Sequence, residues 1–323
     1  MNKYNWLERV FHQVALSSQF MREVTFDVES SYMSSVGETD NHVFIAGLAR
    51  SGTTILLNAI YESDEFSSLS YEDMPFILAP NLWSKLSLNK EEVDLVERAH
   101  GDGIKISIES PEAFEEVFWM TFNEHHEDVQ EKFKTYLQLI NKKYQKERYL
   151  GKNNQNIRRL ELISNTFPDS KILVPFRNPI QHAYSLLVQH KKFINAATKD
   201  NFITNYMKWI GHTEFGPNYI PIHNKNVKYN NDLEINHWIE QWYLTYKNAF
   251  QLLINNHNLK FICYEKLCST KDYWFQIQEI VQIEEPYDFE FKESKKDIPL
   301  NIDKELKEKA MSLYFDLNSL NLK

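Results

Sequence analysis

The chain has 323 residues, 42% of them hydrophobic, which is enough for a substantial core. Its net charge is −9, and an acidic chain without a basic stripe is a poor match for a nucleic-acid backbone, whereas a small anion needs only a few local cations. Two cysteines, Cys263 and Cys268, lie in one segment and supply neither a disulfide framework nor a zinc pattern.

In chain order, residues 1–40 read as an opening helical segment followed by a serine-rich polar linker, with Trp6, Val10, Val14 and Leu16 on one helical face. The first residues lack the apolar core of a secretory signal, and no run of 18 apolar residues occurs, so the expectation is a cytoplasmic protein with no transmembrane segment. His42–Ala46 is a short apolar run feeding the glycine loop Gly47-Leu-Ala-Arg-Ser-Gly-Thr-Thr54, and apolar residues at 55, 56, 59 and 60 follow at helical spacing. Phe66–Ser70 reads as a second strand ending at Tyr71–Pro75, and Gly103–Ile108 as a hairpin or edge strand. Ser110-Pro111-Glu112 starts a helix, with serine as cap, proline at the first position and glutamate at the positive end; residues 112–147 form two helices. Tyr149–Lys152 is a short strand, Ile157–Phe167 an amphipathic helix, and Lys171–Phe176 a strand with Pro175 near its end. A helix over 179–192, a loop over 211–232, a helix over 238–254, a strand at Lys260–Tyr264 and a helix near 303–315 complete the chain. Strand, glycine loop and helix in succession predict an α/β fold, a three-layer P-loop-type parallel sheet flanked by helices. One domain over 1–323, with helical insertions at about 75–147 and 195–235, fits this pattern.

The glycine loop places Gly47 and Gly52 as a nucleoside-triphosphate loop would, between a strand and a helix. The residue after Gly52 is Thr53 where such a loop carries lysine. Backbone N–H groups can still cradle a phosphate at the helix start, but the lysine that reaches a β/γ-phosphate is gone. Arg50, inside the loop, can clamp an oxyanion bidentately. This pattern disfavours a kinase, which needs the lysine and a magnesium site. It suits a nucleotide with one 5′-phosphate carrying a sulfonate.

Ala49-Arg-Ser-Gly-Thr-Thr54 resembles the 5′-phosphosulfate loop of sulfotransferases that use PAPS (3′-phosphoadenosine 5′-phosphosulfate), and the R-S-G-T-T form is similar to that of tyrosylprotein and related bacterial members. The resemblance implies that Arg50, Ser51, Gly52, Thr53 and Thr54 bind the 5′-phosphosulfate and that Arg50 stabilises charge on the bridging oxygen. The family's second signature is an arginine at a strand end and a serine eight residues on, which hold the 3′-phosphate; Arg177 and Ser185 have that spacing. Independently of the resemblance, a cation and a hydroxyl at a helix start favour an anion. Lys260–Leu267 resembles the late Y-E-x-L strand end of these enzymes, which brings Tyr264 near the nucleotide; the R-K-G-x-x-G loop of cytosolic members is absent.

In the carbohydrate and protein-tyrosine branches a carboxylate at the end of the second strand acts as base. Glu72 and Asp73 stand 22 and 23 residues after Arg50, and Asp73 is slightly favoured because Pro75 turns the chain there. His100 is a rival, since cytosolic members use histidine, although Ala99-His100-Gly101 lacks their context. Lys152 resembles the lysine that stabilises the transferring group, and Arg158 and Arg159 either extend a phosphate pocket or are helix-surface charges. Glu112, Glu115 and Glu116 line an acceptor cleft or belong to an amphipathic helix, and Trp238 and Trp242 read as core. Glu124-His-His-Glu127 lacks metal-ligand spacing, so no metal is expected. The resemblance implies a PAPS-dependent enzyme that releases PAP from a hydroxylated acceptor: a glycan, a lipid-linked sugar or a small metabolite. A kinase with a degenerate loop and a non-catalytic nucleotide-binding module are the alternatives, and oligomeric state is left open.

Overall fold

The computed structural model describes residues 6–31, 39–86, 96–97, 105–106, 111–112, 114–197, 201–253, 256–293, 298, 301–320 and 322. Two helices, α1 (Trp6–Ser17) and α2 (Gln19–Ser31), precede strand β1 (Val43–Ile45). After β1 come α3 (Thr53–Tyr61), β2 (Phe66–Ser67), α4 (Pro80–Leu86) and the two short strands β3 (Val96–Glu97) and β4 (Lys105–Ile106). Then follow α5 (Glu116–Phe122), α6 (Val129–Tyr144), β5 (Arg148–Lys152), α7 (Leu160–Thr166), β6 (Lys171–Phe176), α8 (Pro179–Ala197) and α9 (Asn201–Trp209). The chain ends with α10 (Ile235–Leu252), β7 (Leu259–Cys263), α11 (Tyr264–Ser269), α12 (Lys271–Ile280) and α13 (Lys304–Ser319).

The main sheet has the order β2-β5-β1-β6-β7, and every pairing in it is parallel. A parallel sheet must be covered on both faces, and here alternate residues of each strand feed two separate cores. Phe44, Ile172 and Val174 face one layer, together with Phe133 of α6 and Trp242 of α10. Val43, Ile45 and Leu173 face the other, against Leu56, Leu57 and Ile60 of α3 and Trp274 of α12. The outcome is the α/β sandwich expected from the sequence, with β1 at its centre and no exposed residue in that strand.

Pro175 sits inside this sheet without breaking it. The odd residues of β6 point at β1, since Lys171 N–H donates to His42 C=O (2.8 Å) and Ala46 N–H to Leu173 C=O (2.9 Å). Position 175 therefore faces the side where β1 has already given way to the loop. The missing donor is lost there, while pairing with β7 continues to Phe176 and Cys263.

Three local expectations shift. The helix expected from residue 112 begins at Glu116; Pro111 forms an antiparallel bridge with Ser70, and Glu112 N–H donates to Leu69 C=O (2.9 Å). The second strand is confined to Phe66–Ser67, and Tyr71–Asp73 is a 3-10 turn. Tyr264 opens α11 instead of closing a strand. Ser110 and much of the segment 103–108 lie outside the described residues, but Lys105–Ile106 does pair, antiparallel, with Val96–Glu97.

His42, at the mouth of β1, accepts a hydrogen bond on Nδ1 from the Tyr149 N–H (3.1 Å). Burial, and secondarily the nearby Arg148, hold its imidazole down at about 4. The unfolded chain binds this proton near pH 6.5, so stability is complete above that pH and declines as pH falls towards 4. In equilibrium denaturation, His42→Gln should flatten the pH dependence between those limits by about 3 kcal/mol.

Candidate active site

The loop after β1 is shaped by two close approaches. A Cβ on Gly47 would lie 3.1 Å from the Pro175 carbonyl oxygen and 3.3 Å from its Cδ. A Cβ on Gly52 would fall onto the ring of Tyr264, and the φ of Gly52 is 103°. Arg50 also has a positive φ, 69°, which costs a non-glycine residue on the order of 1 kcal/mol and must be held by its surroundings. Helix α3 then starts at Thr53 with no acidic residue in its first turn and no side-chain cap. The positive end of its dipole therefore meets no acidic side chain in that turn, and such an end favours an anion.

A second segment closes over this loop from β6 and α8. Asn178 caps α8, its Oδ1 accepting from the N–H groups of Ile180 (3.1 Å) and Gln181 (3.2 Å). Just before the cap, Arg177 donates from Nη1 to the Arg50 carbonyl (3.4 Å), and its guanidinium lies 5.2 Å from the centre of the Tyr264 ring. Two turns into α8, Ser185 accepts on Oγ from Arg50 Nε (3.4 Å). His182, three residues earlier on the same helix face, donates from Nε2 to the Ala49 carbonyl (2.8 Å). Burial pushes the His182 imidazole down to about 3, and the charges of Arg177 and Arg50 add to the effect, so it is neutral at pH 7. Arg50, Gly52, Arg177, Ser185 and Tyr264, which the sequence suggested on separate grounds, form one cluster. Ser51, Thr53 and Thr54 belong to the same loop and helix start.

The carboxylates after β2 are not equivalent. Asp73 is fully buried; its Oδ2 accepts from the Ser70 N–H (2.8 Å) and the Tyr144 hydroxyl (2.9 Å), and its Oδ1 from Lys143 Nζ (2.6 Å). Asp73 is thus the lock of a capping box and a buried ion pair, not an acid turned to a cleft, which is contrary to the preference drawn from Pro75. Glu72 keeps 30% side-chain exposure, with Lys143 at 3.8 Å. Lys152 is buried at the end of β5, in register with Ile45 just before the loop. Arg159 is interior and not a surface charge: it pairs with Glu116 (2.7 Å) and also with Glu124, so its charge is spent within the fold. Arg158 donates to the Pro221 carbonyl (3.0 Å). Glu115 is buried and accepts from Trp119 Nε1 (2.9 Å), Asn156 (2.7 Å) and Tyr149 (3.2 Å), and Glu112 accepts from Tyr71 (3.2 Å). These acids form an interior network, not an acceptor cleft. His100 lies outside the described residues. Among the described residues no cluster of His, Cys, Asp and Glu could hold a metal ion, and no helix is long and apolar enough to cross a membrane.

A family model described as the sulfotransferase family matches residues 42–214, a span that contains the loop, Arg177 and Ser185. The chain belongs to the sulfotransferase family. No curated protein matches the sequence. Among solved structures it is similar to a sulfotransferase from Mycobacterium tuberculosis H37Rv, with 11% identity, 98% of this chain and 84% of that chain covered, and a TM-score of 0.48. A sulfotransferase from Mycobacterium avium gives 13%, 99%, 80% and 0.46 for the same quantities, and one from Alicyclobacillus acidocaldarius gives 15%, 87%, 93% and 0.39.

This sulfotransferase also carries residues at the loop that sequence reading missed. Thr53 donates from Oγ1 to Asn154 Oδ1 (3.4 Å), and Asn154 Nδ2 donates to Glu214 Oε1 (3.0 Å). No spacing announces a pair 60 residues apart. His182 was likewise invisible, although it stands between Arg177 and Ser185 in the second signature.

The contact between position 52 and Tyr264 is open to a double-mutant cycle. Gly52→Ala should cost roughly 1–3 kcal/mol in denaturant unfolding, and Tyr264→Ala in the same chain should recover part of the loss, a coupling of at least about 0.5 kcal/mol. Additive losses would show that the ring and the glycine do not constrain one another.

Proposed function

We propose that this sulfotransferase moves a sulfonate group from PAPS to a hydroxyl group and releases PAP. The reading rests on Arg50 reaching Ser185 and Arg177 reaching the Arg50 carbonyl beside a helix start that has no side-chain cap. Arg177 lies against the backbone of Arg50, which gathers two cations in a chain whose net charge is −9. Such a pair suits a ligand with phosphate at two separated places. The N–H groups at the start of α3, with Ser51, Thr53 and Thr54, fit the 5′ side, and Arg177 with Ser185 fits the 3′-phosphate. Tyr264, held against Gly52 and Arg177, borders the same space.

PAPS, when bound, supplies an activated sulfonate and a phosphate leaving group. The chain's part is to orient and to stabilise charge. Arg50, within the loop, offsets negative charge on the leaving oxygen in this reading. Lys152, at the β5 end beside the loop, is a second cation for that role. Glu72 is the carboxylate of the β2 end that retains exposure, and it is the base in this reading; Asp73 holds Ser70, Lys143 and Tyr144 in place around it. A Mg-ATP kinase is the poorer reading, because Thr53 occupies the loop's lysine position.

Thermal unfolding with PAP, PAPS and ATP, each with and without Mg²⁺, tests the donor. PAP at about 100 times its Kd should stabilise by about 2.7 kcal/mol without metal, and stabilisation by Mg-ATP alone would overturn the reading. Arg177→Ala should weaken PAP binding at least about tenfold, while Arg50→Ala should lower kcat by about 100-fold or more. An unchanged PAP affinity in Arg177→Ala would mean that the 3′-phosphate lies elsewhere.

The two neighbouring acids should separate by readout. Asp73→Asn should lose roughly 3 kcal/mol of stability, because it strips the partner from a buried lysine. Glu72→Gln should unfold like the wild type within about 0.5 kcal/mol yet lose turnover. Full activity in Glu72→Gln would remove it from the base role.

A further inference from the structure

Three contacts from residues 177–185 reach the loop at Ala49 and Arg50. Arg177 donates from Nη1 to the Arg50 carbonyl (3.4 Å), Ser185 Oγ accepts from Arg50 Nε (3.4 Å), and His182 donates from Nε2 to the Ala49 carbonyl (2.8 Å). The Ala49 and Arg50 carbonyls belong to the two peptide planes that flank the Cα of Arg50. The directions of those planes set φ and ψ at residue 50, and so the line along which its side chain leaves the loop. Arg177 holds one plane and His182 the other.

These holds differ in what can displace them. The contacts of Arg177 and Ser185 are long for hydrogen bonds, and both side chains are half-buried. An anion that binds beside them competes for the guanidinium and the hydroxyl. His182 has no exposed surface, and its bond is shorter. A ligand cannot reach it without unpacking α8.

The chemistry of the ring suits a fixed support. A carbonyl oxygen can only accept, so Nε2 carries the proton and Nδ1 is bare in the neutral ring. Burial pushes the imidazole down to about 3, and the charges of Arg177 and Arg50 add to the effect. Tyr246 of α10, with its ring centre 6.4 Å away, is a further titratable group beside it. Nδ1 is buried with no hydrogen-bond partner among the described residues. An apolar residue would avoid that orphaned nitrogen, but it would take this donor from the Ala49 carbonyl. A lysine or arginine would keep a donor, but it would set a third positive charge beside Arg50 and Arg177. The neutral ring supplies the donor without the charge.

We propose that His182 is a positioning residue: by holding the Ala49 carbonyl it sets the direction of the Arg50 side chain, and it keeps that hold when a bound anion takes Arg177 and Ser185. The proposal rests on the reading given above for what Arg50 does to a ligand, and not for how Arg50 is held.

Nitrogen-15 spectra of the full chain test the tautomer. His182 should keep a protonated Nε2 and a bare Nδ1 from about pH 8 to about pH 5, above its titration at about 3. A proton on Nδ1, or titration inside that range, would overturn the proposal. On addition of PAP the Nε2–H signal of His182 should stay in place while the Nε–H signal of Arg50 moves. Loss of the His182 signal to solvent exchange on binding would equally overturn it. His182→Leu removes the donor, and His182→Gln keeps one. In His182→Leu the amides of residues 47–54 should exchange at least about tenfold faster than in the wild type, with residues 43–45 unchanged, and PAP affinity should fall at least about tenfold. His182→Gln should bring both to within about threefold of the wild type. A histidine that only fills space would lower the melting temperature in both variants and leave loop exchange and PAP affinity alone, and that outcome would overturn the proposal. The tautomer is read on the unaltered protein, so it decides even where His182→Leu does not fold. A wild type that binds no PAP overturns the donor reading instead, and the exchange comparison then decides the role of His182.

Discussion

A side chain at position 52 and the ring of Tyr264 cannot share the same space, and the geometry of the loop follows from that exclusion. With glycine there, the backbone adopts a left-handed turn and α3 starts immediately after it. Tyr264 can then lie flat enough for the guanidinium of Arg177 to approach its ring, and Arg177 reaches the carbonyl of Arg50. Arg50 in turn holds its own uncommon φ while its side chain extends to Ser185. The strain at one non-glycine residue is thus held by contacts from the β6–α8 segment and from α11, both far from the loop in sequence.

The parallel sheet makes this convergence unavoidable. In parallel strands all the carboxyl ends lie along one edge, so the segments that follow β1, β2, β5, β6 and β7 emerge together. The loop, Glu72, Lys152, Arg177 and Tyr264 all lie at or after such an end. The strand order places β1 in the middle, so the loop has neighbours on both sides.

Where a motif is local, the sequence could be read. The strand-loop-helix unit at residues 42–61 and the helix that carries the eight-residue step from Arg177 to Ser185 depend only on the chain nearby, and the fold has both where the sequence puts them. Pro75 put Asp73 ahead of Glu72, and the local chain could not show what separates them, because that comes from Lys143 and Tyr144 on α6, some 70 residues on. Arg159 looked like a surface charge for the same reason: its partners Glu116 and Glu124 come from another part of the chain. Asn154 and Glu214 share no motif at all, and only the folded chain makes them neighbours.

Helix α8 touches the loop at two points on one face, through His182 to the Ala49 carbonyl and through Ser185 to the side chain of Arg50. It also packs against α9, α10, α13 and the 3-10 turn at Gly216–Asn218. The helix is therefore a lever arm with both grips at the same end. A substitution that tilts α8 at its distal packing surface would shift the loop backbone and the arginine together, and in one direction. Remote changes in this protein should consequently move the Arg50 side chain and the loop backbone in proportion, as coupled readings of a single rigid-body displacement.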